Sequence, residues 1–118
     1  MIQIETVESI RNLDAILMNV PDIDAVWLGA LDTRVSMGFP AGHGIRGTTE
    51  LEWLEAAELF HSTLKKHNKP YVGFSFAFGD ELRKITSNMA ICMITADTTK
   101  LAEIMGALTG AKETLALQ

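Results

Sequence analysis

With only one cysteine, Cys92, the chain cannot form an internal disulfide, and that residue lies in an apolar run where a small buried hydrophobe is its ordinary reading. Basic residues are not in excess. Ten Lys and Arg against fifteen Asp and Glu leave a formal charge of −5, so there is no positive field to attract nucleic acid. No apolar stretch is long enough to span a membrane, and the N-terminus lacks the basic-then-apolar form of a signal peptide. Repeats, linkers and low-complexity segments are also missing. Together these absences point to a soluble protein of a reducing compartment, most simply the cytoplasm. What is present is 118 residues, 47% of them hydrophobic, enough for one globular domain with a modest core.

Apolar periodicity divides the chain into four strand-then-helix units. Residues 1–5 read as a strand, and Thr6 caps a helix whose apolar positions Val7, Ile10, Leu13 and Leu17 follow helical spacing. Pro21-Asp22 ends that unit. Residues 24–29 form a second strand, in which Ala25-Val26-Trp27-Leu28 is the short apolar run a buried parallel strand needs. A Gly-rich loop is expected over 32–47. Thr49 with Glu52 makes a capping box for a helix with the face Trp53, Ala57, Phe60 and Leu64. After the break at Lys69-Pro70, residues 71–78 form a third strand, 79–88 a short helix and 89–96 a fourth strand. Thr98 or Thr99 caps a last helix carrying Leu101, Ile104, Met105 and Leu108. Such alternation calls for parallel strands joined by right-handed crossovers.

Strand parity separates Val72, Phe74, Phe76 and Phe78 from Tyr71, Gly73, Ser75 and Ala77. The phenylalanines are expected to meet the helix layer, and the small residues to share the opposite face with Gln3 and Glu5. Four parallel strands with helices on one side leave the other face bare and both edges unpaired. The chain is therefore expected either to self-associate, as a homodimer or higher oligomer that closes a barrel, or to rearrange into a flavodoxin-like open sheet with a helix moved across.

Glu5 closes the first strand and Asp32 follows the second. Strand ends of parallel α/β folds are where ligands collect, and two acidic oxygens there supply half of a hard-metal site. In most proteins, a Glu after a strand or an Asp at a helix start is simply a solvated charge, so spacing alone does not establish metal binding.

A longer string is more specific. Ile2-Gln3-Ile4-Glu5-Thr6-Val7-Glu8, Asn12-Leu13-Asp14-Ala15-Ile16, Val20-Pro21-Asp22-Ile23-Asp24-Ala25-Val26, Leu28-Gly29, Asp32 and Ser36-Met37-Gly38 together resemble the HpcH/HpaI aldolase and citrate lyase family, with its macrophomate synthase-like fungal branch a close match. Weaker echoes follow at Lys69-Pro70-Tyr71-Val72-Gly73 and Thr95-Ala96-Asp97. The resemblance implies the C-terminal half of a TIM (β/α)8 barrel holding Mg2+ or a similar divalent cation and the enolate of pyruvate. The reactions implied are aldol cleavage or addition and decarboxylation of oxaloacetate-type 2-oxo acids. It assigns the metal-ligand carboxylates to Glu5 and Asp32, and the substrate-binding segment to Gly29, Ala30 and Leu31, with the amides of Ala30, Leu31 and Asp32 receiving the substrate carboxylate.

The departures matter as much. The family's catalytic Arg and His come from the first half of the barrel, which has no counterpart here. Ala30 stands where a proline is usual, and Thr33-Arg34 replaces Leu-Ser. Arg34 reads as a solvated loop arginine near the site, and His43 as the one loop histidine within reach of acting as a base. His61 and His67 read as surface residues, Ser75 and Asp97 as structural ones. The expectation is a half-barrel that is inactive alone. The alternatives are a divergent metal-dependent carbon–carbon lyase active as an oligomer, or a small-molecule binding module.

Overall fold

The computed structural model describes residues 1–40, 50–75, 77 and 79–116. Strands β1 (Ile2–Ile4), β2 (Val26–Leu28), β3 (Tyr71–Phe74) and β4 (Ile91–Met93) form one parallel sheet in the order β1-β2-β3-β4. They alternate with helices α1 (Val7–Asn19), α2 (Ala30–Ser36), α3 (Leu51–Lys66), α4 (Gly79–Thr86) and α5 (Asp97–Ala116). Strands that neighbour one another in chain order, each followed by helix, make half of a (β/α)8 barrel. A flavodoxin-like sheet would reverse direction after its first strand. This one does not, so the rearranged alternative falls away. No helix among the described residues is long and apolar enough to cross a membrane.

The core forms where α1 and α3 lie side by side over β1 and β2. Thr6 and Ser9 start α1 reciprocally: Thr6 Oγ1 accepts from the Ser9 amide and Ser9 Oγ from the Thr6 amide, each at 3.1 Å. Ile10, Leu13 and Leu17 then share one helix face and are buried against Ile4, Val26 and Leu28 and against Trp53, Ala56, Phe60 and Leu64 of α3. Across the top of this layer Lys66 donates to both carboxylate oxygens of Asp14, at 2.7 and 2.9 Å, and His67 Nε2 lies 2.6 Å from the same carboxylate. The Lys66 ammonium first, and His67 second, hold the Asp14 carboxyl below its ordinary value of 3.8.

One local expectation changes. The segment after β2 does not open as a loop but as helix α2, because Ala30 through Ser36 contains no glycine. The helix ends where glycine appears: Gly38 takes φ +80°, its amide bonds Val35 and the Phe39 amide bonds Arg34, a Schellman arrangement. At the far side of that connection α3 begins at Leu51, with Glu50 as an N-cap that makes no side-chain cap bond. The capping box anticipated at Thr49 lies outside the described residues, as do Phe76 and Phe78. Helix α5 begins at Asp97, with Thr99 Oγ1 accepting from the Ala96 amide at 3.0 Å.

The face assignment of β3 is reversed. Gln3 aligns with Trp27, and Trp27 with Val72, so these three share a face. Ile2, Val26 and Tyr71 share the other, and Tyr71 packs edge-on to Phe60 of α3, with ring centroids 5.5 Å apart. Gly73 belongs with Tyr71: a Cβ there would meet the Tyr71 Oη at 2.6 Å. The small residues thus make room for the tyrosine under the helices. The face away from the helices carries Gln3, Trp27, Val72, Phe74, Ile91 and Met93. Parity within one strand is legible from sequence, but its phase relative to a neighbour depends on register.

Helix α5 stands apart. Every residue from 101 to 116 is exposed, and Gly106 and Gly110 have nothing near them. The chain measures 64 × 26 × 26 Å with a radius of gyration of 17.5 Å. A compact chain of about this length would have roughly 13 Å. Each glycine costs a helix interior about 1 kcal/mol relative to alanine, so α5 is not held by propensity.

Two outcomes follow. Leu13→Ala should lower unfolding free energy in urea by about 3 kcal/mol, and Ile91→Ala by well under about 1 kcal/mol, since Leu13 is fully buried and Ile91 is 55% exposed. His61 packs against Phe60 and Tyr71, and partial burial pushes its imidazole below the ordinary 6.5. The unfolded chain then protonates first, so stability is complete above pH 6.5 and declines as pH falls from there to the folded value. The urea midpoint should drop over that range, and His61→Leu should flatten the drop.

Candidate functional site

The parallel register puts the end of β1 beside the end of β2. Ile4 aligns with Leu28, and the Gly29 amide donates to the Ile4 carbonyl at 2.8 Å, so Glu5 lies next to Gly29. By alternation Glu5 points to the same side as Gln3, away from the helices. Gln3 Nε2 donates to Glu5 Oε1 at 2.8 Å, which fixes the carboxylate's direction. A Cβ on Gly29 would meet Glu5 Cγ at 2.9 Å, the Ile4 carbonyl oxygen at 3.3 Å and Gln3 Nε2 at 3.4 Å. Gly29 is required here for space, since its φ of −75° is open to any residue. The three side-chain positions form one packed unit, Gln3 over Glu5 over a glycine floor.

Asp32 stands in the first turn of α2, three residues beyond Gly29, and is exposed. The helical ladder starts with the Thr33 amide bonding the Gly29 carbonyl at 2.8 Å, so the amides of Ala30, Leu31 and Asp32 precede it. Among the described residues no group of three or more His, Cys, Asp or Glu side chains could hold a metal ion. Glu5 and Asp32, from adjacent strand ends, are two oxygen donors. Two oxygen donors are short of a closed cage, and a hard divalent cation would need waters or other ligands to complete its shell.

Arg34 differs from its expectation. It is 3% exposed, its guanidinium donates twice to the Glu50 carboxylate at 3.1 and 3.0 Å, and the rings of Phe39 and Trp53 both lie 5.6 Å from Cζ. Its Nε has no partner among the described residues, so the fork to Glu50 is what compensates the buried charge. Arg34 is therefore a clamp between α2 and α3 and offers no free charge to a substrate. Sixteen residues separate the pair in the chain, a distance at which no periodic pattern gives it away. Ser75 is buried, its Oγ accepting from the Ala77 amide at 3.1 Å, in keeping with a structural role. His67 is tied to Asp14 and His61 lies among aromatic rings, both on α3 or just past it and neither at the strand ends. His43 lies outside the described residues.

A family model described as HpcH/HpaI aldolase/citrate lyase matches residues 1–72 of the chain. Solved structures share the fold. The citrate synthase SbnG superposes with a TM-score of 0.70 at 19% identity, covering 99% of this chain and 46% of its own. Macrophomate synthase gives 0.70 at 24% identity, covering 96% and 38%. An HpcH/HpaI aldolase from Desulfitobacterium hafniense DCB-2 gives 0.61 at 20%, covering 91% and 40%. The chain thus spans less than half the length of each of these structures. No curated protein matches it in sequence.

The glycine floor yields a direct test. Gly29→Ala should destabilise the fold by about 1–3 kcal/mol through overpacking against Glu5 and the Ile4 carbonyl. Gly29→Ala combined with Glu5→Gly, which empties the space above it, should recover much of that loss in the same urea titration.

Proposed function

The chain belongs to the HpcH/HpaI aldolase/citrate lyase family, and from that premise we propose that it carries the metal-binding half of a carbon–carbon lyase site for pyruvate- or oxaloacetate-type 2-oxo acids. Glu5 and Asp32 would hold the divalent cation, Mg2+ or a similar ion. The observation that carries the reading is Glu5 fixed by Gln3 above Gly29, at the end of a strand whose neighbour leads four residues later to Asp32. A bound divalent cation supplies Lewis acidity that stabilises the charge developing on an enolate oxygen. Gly29, Ala30 and Leu31 would line the substrate side, with the amides of Ala30, Leu31 and Asp32 available to a carboxylate because the helical ladder does not use them.

On its own the chain is a half-barrel without turnover. No histidine or arginine of the described residues is free at the strand ends: Arg34 is clamped to Glu50, His67 to Asp14, and His61 sits on α3 edge-on to Tyr71. The bare face of the sheet, with Trp27, Val72, Phe74, Ile91 and Met93, has the apolar character of a barrel interior. This supports association, with a second copy or a complementary half completing the barrel.

Calorimetry with Mg2+ and Mn2+ should show weak binding to the wild-type chain and none to the Glu5→Ala, Asp32→Ala double variant. Unchanged binding in that variant would place the metal elsewhere. Oxaloacetate decarboxylation by the chain alone should stay at the metal-ion background, because positioned proton transfer, worth about 100-fold or more, has no free His or Arg among the described residues at the strand ends to provide it. Turnover well above background that is lost in His43→Ala would restore a catalytic reading for the isolated chain.

A further inference from the structure

At the end of the parallel strands opposite Glu5 and Asp32, on the helix side of the sheet, the flank of α3 is left open. Helix α4 is only eight residues long and buries none of them, so it does not close against α3. The space that remains is about 520 Å³, within the usual range for a small-molecule site. Its lining comes entirely from α3, the residues leading into β3 and the turn before β4.

Both walls are fixed by the fold. On α3, His61, Leu64 and Lys65 stand at i, i+3 and i+4 and so face one side. Opposite them, the Ala90 amide donates to the Tyr71 carbonyl at 2.8 Å and the Met89 amide to the Thr86 carbonyl at 2.9 Å, which ties the turn to β3. Tyr71 Oη and Met89 Cε meet over Gly73, where a Cβ would lie 2.6 and 2.8 Å from them. The base of the space is therefore apolar and already placed: the Tyr71 ring, Met89 and Leu64.

The charge around it has one sign. No Asp or Glu lines the space, although the chain as a whole carries −5. Lys69 is held by the Pro21 carbonyl at 2.7 Å, and Lys66, outside the space, by Asp14. Lys65 has no acidic partner among the described residues. One ammonium is thus left on a lining that also carries two neutral donors, the Asn88 amide and the Tyr71 hydroxyl. Burial, and then the neighbouring Cys92, push the Tyr71 phenol up to about 12, so it keeps its proton. A single free ammonium with neutral donors matches the one charge of a carboxylate, whereas a doubly charged phosphate is met better by an arginine fork.

We propose that this space is a ligand site for a small monocarboxylate with a single-ring apolar body, the body resting on Tyr71, Leu64 and Met89 and the carboxylate meeting Lys65 and Asn88. It shares no residue with Glu5, Gly29 or Asp32 and stands whether or not the lyase reading holds.

An NMR titration of the isotope-labelled full chain with sodium benzoate tests it. Shifts should concentrate at Lys65, Tyr71, Asn88 and Met89 and leave Glu5 and Asp32 unmoved. Acetate, which has the charge without the ring, and benzyl alcohol, which has the ring without the charge, should each bind about tenfold or more weakly than benzoate. Lys65→Glu should weaken benzoate by a similar factor, Lys65→Arg should retain it, and Lys112→Glu on α5 should have no effect. Ala90→Phe, which fills the space from an exposed position, should abolish binding while the urea midpoint holds. The proposal is overturned by the absence of benzoate-dependent shifts, by shifts centred on Glu5 and Asp32, by benzyl alcohol binding as well as benzoate, or by unaltered binding in Lys65→Glu or Ala90→Phe. Phenyl phosphate binding more tightly than benzoate would overturn the choice of a carboxylate. The Glu5→Ala, Asp32→Ala variant should lose Mg2+ and keep benzoate, and Lys65→Glu should do the reverse, so that each reading fails independently of the other.

Discussion

A parallel sheet has two faces, and this chain has packed helices for only one of them. That imbalance governs the molecule. The layer of α1 and α3 over β1 and β2 contains nearly all the large buried apolar side chains, from Ile10 and Leu13 to Phe60 and Leu64. Towards β4 the burial fades, and α4 contributes no buried residue. Cohesion therefore declines along the chain, from a well-packed first half to strands and helices whose apolar surfaces face water. The range that the family model matches, residues 1–72, contains this well-packed layer.

The site sits at the cohesive end for a physical reason. Glu5 is placed by its position one residue beyond β1 and by a hydrogen bond from Gln3, both anchored by Ile4 in the core. Asp32 is placed by a helix whose N-cap, Gly29, is itself bonded to β1. Neither carboxylate depends on the weakly packed β4 and α5 region. The strand ends that carry Glu5 and Asp32 are thus held by the packed part of the chain, whatever becomes of the exposed surfaces of β4 and α5.

Element order and the helix faces were legible in the sequence because they rest on local periodicity. Ile10, Leu13 and Leu17 point where their spacing says, and Thr6 caps where a hydroxyl before an apolar run should. Legibility failed where the outcome depends on relations between distant segments. The face of Gly73 follows from a register with Trp27 and Val26 that no single strand encodes. The burial of Arg34 follows from a carboxylate on the next helix. The segment after Leu28 read as loop because glycines farther on dominated its composition, although the first seven residues after Gly29 contain none. Glu5, Asp32 and Gly29 were found through a motif string, and only the structure gives the reason for the glycine.

The Arg34–Glu50 fork joins the end of α2 to the beginning of α3 across a connection of fifteen intervening residues. With both ends of that connection pinned, its length is uncoupled from the frame. Closing a loop whose length doubles costs only about 0.6 kcal/mol more in chain entropy. Sequence inserted or deleted between the two anchors need not displace either helix, so changes in chain length there leave Asp32 in its position on α2.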